Sequence, residues 1–202
     1  MANLEHFDIL APLYDRLIKL ENVDQLKQHL ALPSSGKLLD AGGGTGRVAS
    51  ALQDKIPFIV VADLSAGMLR QAALKNGLKP VCSFSENLPF DDAAFDRIVM
   101  VDAFHHVCDH IQTARELWRV LKPGGRLVIE EPDIQKWIVK LAALGEKLAL
   151  MRSHFVSPPR IGRLFGDPSA RVQIAYQRYT AWVIVEKLAV NSSTDPGQHF
   201  SG

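Results

Sequence analysis

The sequence predicts an α/β domain in which helices cover both faces of a mostly parallel β-sheet. From Lys37 onward, short apolar runs alternate with segments of helical character. The runs are apolar at successive positions, as expected for strands that are buried on both faces of a parallel sheet. The 202 residues are 47% apolar and 22% charged, which is ordinary for one globular domain with a full core.

Five strands and three helices are predicted in the first two thirds of the chain. The strands are Lys37–Ala41, Phe58–Ala62, Lys79–Ser83, Phe95–Val101 and Arg126–Glu130, and the helices are Thr45–Lys55, Ala66–Lys75 and Asp109–Leu121. Asn76-Gly77 and the segment Lys122-Pro123-Gly124-Gly125 are typical helix stop signals, because glycine closes a helix and proline cannot continue it.

The pattern changes after the fifth strand. Ile134–Met151 is predicted to be a helix, and Ser157 is expected to cap a further short helix that begins with two prolines. Arg171–Leu188 is rich in β-branched and aromatic residues and predicts two antiparallel strands, although no glycine marks the turn. We therefore expect a single domain over residues 1–190 and a polar tail over residues 191–202.

Composition excludes several classes of protein. The net charge of +1 gives no field that would attract nucleic acid. Cys82 and Cys108 do not form a Cys-x-x-Cys pair, and no histidine or acid cluster suggests a metal site. The chain shows neither a secretory signal nor an apolar run of about 18 residues, so we expect no membrane span and a cytoplasmic location.

A glycine-rich turn lies where the first strand meets the first helix, in Leu38–Gly46. Glycine lets the backbone adopt positive φ and approach a ligand closely, and ligands bind beyond the carboxyl ends of strands in such sheets. Asp63 ends the second strand 17 residues after Gly46, near the spacing at which a carboxylate meets ribose hydroxyls. An alternative role for Asp63 is a helix N-cap, which Ser65 could equally supply.

The same residues distinguish between cofactors. The dinucleotide fingerprint Gly-x-Gly-x-x-Gly fails because Arg47 occupies the third glycine position, and no Gly-Lys-Ser/Thr loop is present. Asp40 would repel a pyrophosphate but attract the ammonium of a methionyl group.

Four ordered motifs make the chain resemble the class I S-adenosylmethionine-dependent methyltransferases, especially the ubiquinone/menaquinone C-methyltransferase branch. The motifs are Leu38–Gly46, Val61–Leu69, Glu86–Asp96 and Leu121–Leu127, and the segment from Phe7 to Asp15 resembles the N-terminal part of that branch. The resemblance implies a Rossmann-like, doubly wound sheet of seven strands, with Arg171–Leu188 as its antiparallel C-terminal hairpin.

The resemblance also implies the residues that bind S-adenosyl-L-methionine. They are Tyr14, Asp40, Ala41, Gly42, Gly44, Asp63, Leu64, Met68, Ser85, Glu86, Val101 and Asp102. The chain departs from the family at Phe84, where members often carry an acid that accepts from the adenine amine. Either backbone groups and stacking replace that acid, or Glu86 does.

The expected function is methyl transfer to a small-molecule acceptor, such as a quinone precursor or another cyclic metabolite. His105 and His106 follow the fourth strand on the acceptor side and are candidates for a general base, although paired histidines at a helix start are often packing residues. The alternative is a regulatory protein that binds S-adenosylmethionine without turnover. The sequence leaves open whether the protein is a monomer or a homodimer.

Overall fold

The computed structural model describes Ala11 and residues 22–133 and 154–189. The predicted helix Ile134–Met151, the polar tail and Tyr14 lie outside these residues. The strands are β1 Lys37–Ala41, β2 Phe58–Asp63, β3 Leu78–Cys82, β4 Phe95–Val101, β5 Leu121–Pro132, β6 Ala170–Gln177 and β7 Thr180–Lys187. The helices are α1 Val23–His29, α2 Arg47–Leu52, α3 Ala66–Ala73, α4 His110–Val120 and α5 Pro158–Gly162, with a 3-10 turn at Phe104–His106.

The seven strands form one sheet in the order β3-β2-β1-β4-β5-β7-β6. Strands β1 to β5 pair in parallel, whereas β7 is antiparallel to both β5 and β6. This arrangement confirms the predicted Rossmann-like sheet with its antiparallel C-terminal hairpin. The chain runs outward from β1 in both directions, so the carboxyl ends of β1 and β4 border a crevice at the point where the strand order reverses.

Successive residues of β1 contribute to two separate apolar cores, one on each face of the sheet. Leu38 belongs to the core that also contains residues of α1, α2 and α3, and Leu39 to the core that contains residues of α4 and α5. Both side chains are fully buried, and each stabilises the fold by roughly 2 kcal/mol through the hydrophobic effect. A rigid sheet held from both sides therefore positions the loops at its carboxyl edge.

The largest departure from the predicted boundaries is at the start of β5. The strand begins at Leu121 rather than Arg126, because Leu121 pairs with Phe95 before an irregularity shifts the register, and Arg126 then pairs with Arg97. Helix α4 ends at Val120, one residue before the predicted end, and the chain from Leu121 through Gly125 is already extended. The helix-stop residues thus lie inside an irregular strand.

Smaller differences lie at the helix ends and in the hairpin turn. Helix α2 is shorter than predicted at both ends, since Gly46 is its N-cap residue and Leu52, not Lys55, is its last residue. Ser157 is the N-cap of α5, but its carbonyl oxygen accepts from Ile161 N–H while its hydroxyl makes no capping bond. The turn between β6 and β7 places Arg178 at φ 52°, so a non-glycine residue adopts the left-handed conformation. Among the helices of residues 22–133 and 154–189, none is a candidate membrane span.

Candidate active site

The glycine turn after β1 is anchored to the end of β2. Gly42 N–H and Gly43 N–H both donate to the carbonyl of Ala62, at 2.7 and 3.1 Å. Gly42 and Gly44 adopt positive φ values of 67° and 53°, a conformation that costs a residue with a side chain about 1–2 kcal/mol. A Cβ atom at Gly42 would also lie 2.6 Å from Cβ of Ala103. The turn consequently packs closely against the segment that follows β4.

Asp63 joins the glycine turn to the start of α3. Its Oδ2 accepts from Gly44 N–H and its Oδ1 from Ser65 N–H, each at 2.8 Å. Ser65, and not Asp63, is the N-cap of α3, since its Oγ accepts from Met68 N–H at 3.1 Å. The carboxylate of Asp63 is therefore held beside the glycine turn. Leu64 next to it is half-buried, and Met68 is buried.

Asp40, the penultimate residue of β1, has a buried carboxyl group of which only one oxygen accepts a hydrogen bond among the described residues. Its Oδ2 accepts from Ala49 N–H of α2 at 3.1 Å, and the side chain is 1% exposed. Oδ1 is buried and meets no donor among the described residues. Burial raises the pKa of Asp40 from its ordinary 3.8 to about 7, against the opposing effect of the Ala49 N–H. A buried acceptor of this kind fits a ligand that brings a cationic donor to the turn.

The end of β4 lies at the same edge of the sheet. Val101 is buried, and Asp102 follows it with a positive φ of 51° and donates its N–H to the carbonyl of Glu130 at 3.0 Å. Oδ2 of Asp102 lies 3.9 Å from Nη2 of Arg47, the first residue of α2. This ion pair connects the two predicted cofactor-binding loops, from β1 and β4.

The predicted adenine side is formed by the loop after β3. Phe84 is 57% exposed, whereas Ser85 is half-buried. Oε1 of Glu86 accepts from Cys108 N–H at 2.7 Å and from Asp109 N–H at 3.2 Å. Glu86 thus orders the segment before α4, a contact that the sequence did not predict, and its role at the adenine stays a prediction.

The two candidate bases differ sharply in their surroundings, and His105 is the better supported. Its Nδ1 lies 2.6 Å from Oε2 of Glu131, and the two side chains are each 5% exposed. The other oxygen of Glu131 accepts from Phe104 N–H at 2.7 Å. Phe155 stacks on the His105 ring at 4.5 Å between centroids and an angle of 9°. A carboxylate that binds one imidazole nitrogen fixes the tautomer and the orientation of the ring.

His106 is half-buried, and its ring centroid lies 4.0 Å from that of His105. Burial, together with the adjacent His105, lowers the pKa of His106 from 6.5 to about 4. His106 is therefore uncharged at neutral pH.

Glu131 and Phe155 were missed by sequence reasoning. Glu130 and Glu131 are two adjacent acids at the end of an apolar strand, and strand alternation would have placed them on opposite faces. Glu130 indeed lies on the other side, where it accepts from Trp182 Nε1 at 2.9 Å. Two adjacent acids at the end of an apolar strand were the sequence signal that could have identified Glu131. In the described parts of the chain, no group of three or more potential ligands could hold a metal ion.

Comparison with known proteins supports the sequence resemblance. Residues 39–129 match a family model described as a methyltransferase domain. The chain is 33% identical over 144 residues to the ubiquinone/menaquinone biosynthesis C-methyltransferase of Bartonella quintana, a match that covers 66% of this chain and 53% of that protein. It is 34% identical over 163 residues to the demethylmenaquinone methyltransferase of Mycolicibacterium vanbaalenii, covering 81% of this chain and 68% of the relative. The chain thus spans between about half and two thirds of these curated relatives.

A solved structure shows the same fold. A Thermotoga maritima protein described as an S-adenosylmethionine-dependent methyltransferase, possibly acting on histamine, superposes with a TM-score of 0.74. The match covers 93% of this chain and 100% of the other, at 22% sequence identity. At that identity the likeness shows the fold alone.

Proposed function

The chain belongs to the S-adenosylmethionine-dependent methyltransferase family that includes the demethylmenaquinone methyltransferases, and on that premise we propose that it methylates a small-molecule acceptor. The observation that carries the proposal is the pair of carboxylates beside the glycine turn. Asp40 has a buried oxygen that meets no donor among the described residues, and Asp63 is held next to Gly44. Such a site suits a nucleoside that also carries a positive charge.

The proposed cofactor contacts are those that the family resemblance implies, and the geometry of the glycine turn supports the ones nearest to it. Asp40 with the turn at Gly42 and Gly44 would hold the methionyl part, and Asp63 would accept hydrogen bonds from the ribose hydroxyls. Leu64 and Met68 would pack against the adenine. The remaining proposed contacts are Tyr14, Ala41, Ser85, Glu86, Val101 and Asp102. When bound, the cofactor supplies an activated methyl group, and the protein aligns the acceptor and excludes water.

The proposed acceptor is a quinone precursor. The curated relatives named above carry quinone-related names, and the net charge of +1 gives no reason to expect a nucleic acid. A different cyclic metabolite would require the same cofactor site but a different acceptor pocket.

Methyl transfer can be followed with S-adenosylmethionine that carries a labelled methyl group. We expect label in a demethylmenaquinol with a short prenyl chain. Asp63→Ala should transfer about 7- to 80-fold less label at a cofactor concentration that half-saturates the unchanged protein, because its cofactor affinity should fall by roughly 1.5–3 kcal/mol. If S-adenosylhomocysteine binds but no acceptor in a panel of quinols, phenols and amines gains label, the protein is a non-catalytic cofactor-binding protein and the proposal is wrong.

A further inference from the structure

Hydrogen bonds and a stacked aromatic ring hold the His105–Glu131 pair in one arrangement. Glu131 uses Oε2 for Nδ1 of His105 and Oε1 for Phe104 N–H. The ring of His105 is stacked on Phe155, and its carbonyl accepts from His154 N–H at 2.7 Å. Both the backbone and the imidazole of His105 are therefore held by separate contacts, as a group that must keep one orientation requires.

The pair also lies beside the proposed cofactor turn. His105 belongs to the 3-10 turn that follows β4, and Glu131 lies near the carboxyl end of β5. Close contact between Ala103 and Gly42 joins this segment to the glycine turn. In parallel sheets this edge is where ligands bind. The pair is therefore placed on the side where a methyl donor and its acceptor would meet.

The carboxylate of Glu131 determines which nitrogen of His105 is basic. A carboxylate at Nδ1 favours the tautomer with its proton on Nδ1, so that Nε2 becomes the basic nitrogen. The same carboxylate stabilises the imidazolium that forms when Nε2 takes up a proton. Burial of an ionised carboxylate is costly unless donors compensate it, and Glu131 has two, from His105 and Phe104. Burial and the adjacent His105 lower the pKa of His106, which makes it the weaker base.

We propose that His105, positioned by Glu131, is the general base that removes the hydroxyl proton of the acceptor. This inference rests on the proposed function. The acceptor O–H bond breaks, its electron pair remains on the oxygen and delocalises into the ring, and the proton goes to Nε2 of His105. The ring carbon then bonds to the methyl group as the methyl–sulfur bond breaks, with the electron pair of that bond left on sulfur. The C–H proton of that carbon moves to the oxygen as the ring becomes aromatic again, so the one proton released overall is the one that His105 passes to solvent.

A purely structural role for Glu131 would be to attach the 3-10 turn to β5. Glu131→Gln separates the two roles, because the amide oxygen can still accept from Phe104 N–H while the negative charge is lost. Glu130→Gln is the matched control. Glu130 is the adjacent residue and is also buried, but it faces Trp182 on the other side of the sheet.

The first readout is kinetic, with labelled S-adenosylmethionine and a short-chain demethylmenaquinol. We expect His105→Gln to lower kcat about 100-fold, the scale of general base catalysis, with S-adenosylhomocysteine affinity within about twofold of the unchanged protein. We expect Glu131→Gln to lower kcat about 10-fold or more and to move the acidic limb of the kcat/KM profile down by about one pH unit, because the imidazolium loses its counter-charge. The oxidised quinone, which has no hydroxyl, should gain no label.

The second readout needs no acceptor. In histidine-labelled protein followed by NMR, Glu131→Gln should lower the midpoint of the His105 ring titration by about one pH unit, and Glu130→Gln should leave it in place. If the unchanged protein methylates the quinol and His105→Gln is equally fast, the inference is wrong and the proposed function stands. If the unchanged protein transfers no methyl group to any acceptor, the proposed function fails, and an unmoved His105 titration would separately refute the role of Glu131.

Discussion

At the scale of single residues, two carboxylates near the ends of neighbouring strands differ in how far their oxygens are hydrogen-bonded. Asp63 is satisfied by two backbone N–H groups, whereas Asp40 is buried with an oxygen that meets no donor in the described chain. The sequence predicted both positions from the spacing around the glycine turn. It could not predict that Asp40 would be desolvated, because its burial depends on how α2 docks over the end of β1.

The buried carboxyl group of Asp40 is expected to lower the stability of the fold while it favours cofactor binding. Its pKa is raised from 3.8 to about 7, so its favourable contribution to folding is complete below about pH 4 and is lost as the pH rises through 7. The asparagine of Asp40→Asn does not ionise, so the variant loses no stability for this reason as the pH rises. Its free energy of unfolding without cofactor should exceed that of the unchanged protein by roughly 1–3 kcal/mol at pH 8 and converge with it near pH 4, since one pKa unit is worth about 1.4 kcal/mol.

Urea unfolding at several pH values measures this difference. Asp24→Asn, at an exposed acid on α1, is the control for the effect of replacing an aspartate by asparagine. Asp40→Asn should also weaken S-adenosylmethionine binding, since the methionyl ammonium would lose its proposed counter-charge. A constant stability difference between pH 4 and pH 8 would contradict the assignment of a raised pKa to Asp40.

At the scale of secondary-structure elements, α4 organises the loop that precedes β4. Arg119 donates to the carbonyls of Phe90 and Leu88 at 2.7 and 3.0 Å and to Glu116 of its own helix at 2.8 Å. Glu116 in turn accepts from Leu88 N–H at 2.8 Å. Side chains of α4 therefore replace regular backbone pairing in a loop that begins with the proposed adenine contacts.

Arg119→Lys should loosen this loop, because an ammonium group cannot reproduce the forked geometry of the guanidinium. We expect a loss of about 1–2 kcal/mol in the free energy of unfolding, a discounted value since Arg119 is partly exposed. Weaker protection of the loop amides in hydrogen exchange should accompany it. Arg70→Lys, at an exposed position on α3, is the matched control. Equal stability and exchange in both variants would show that the Arg119 contacts are dispensable.

The predicted strands agree best with the structure where their bounds depend only on residues that are adjacent in the sequence. The bounds of β1 and β4 were predicted as the structure has them, because each contains successive apolar residues, Leu38-Leu39 and Ile98–Val101, and is followed by turn residues. The early start of β5 could not be predicted, since it depends on pairing between Leu121 and Phe95 of another strand. The hairpin turn had no sequence signal either, because Arg178 takes a conformation that is usual for glycine or asparagine.

At the scale of the whole molecule, the strand order brings distant residues to one edge of the sheet. Because β4 lies between β1 and β5, the glycine turn, Asp102 and Glu131 share that edge. Alternation of strands and helices was enough to predict a parallel sheet, and the ordered motifs then implied its seven strands. The pairing of His105 with Glu131 was not predictable, because it requires the register of β4 against β5 and the direction of a short 3-10 turn.

The central claim is that the glycine turn and Asp63 bind the nucleoside part of S-adenosylmethionine. Calorimetric titration of S-adenosylhomocysteine into the unchanged protein and into Asp63→Ala tests it most directly. We predict binding to the unchanged protein and an affinity weaker by roughly 1.5–3 kcal/mol in the variant, the range for hydrogen bonds to a charged group. Equal affinity in the two proteins, or binding of NADH in place of S-adenosylhomocysteine, would contradict the claim.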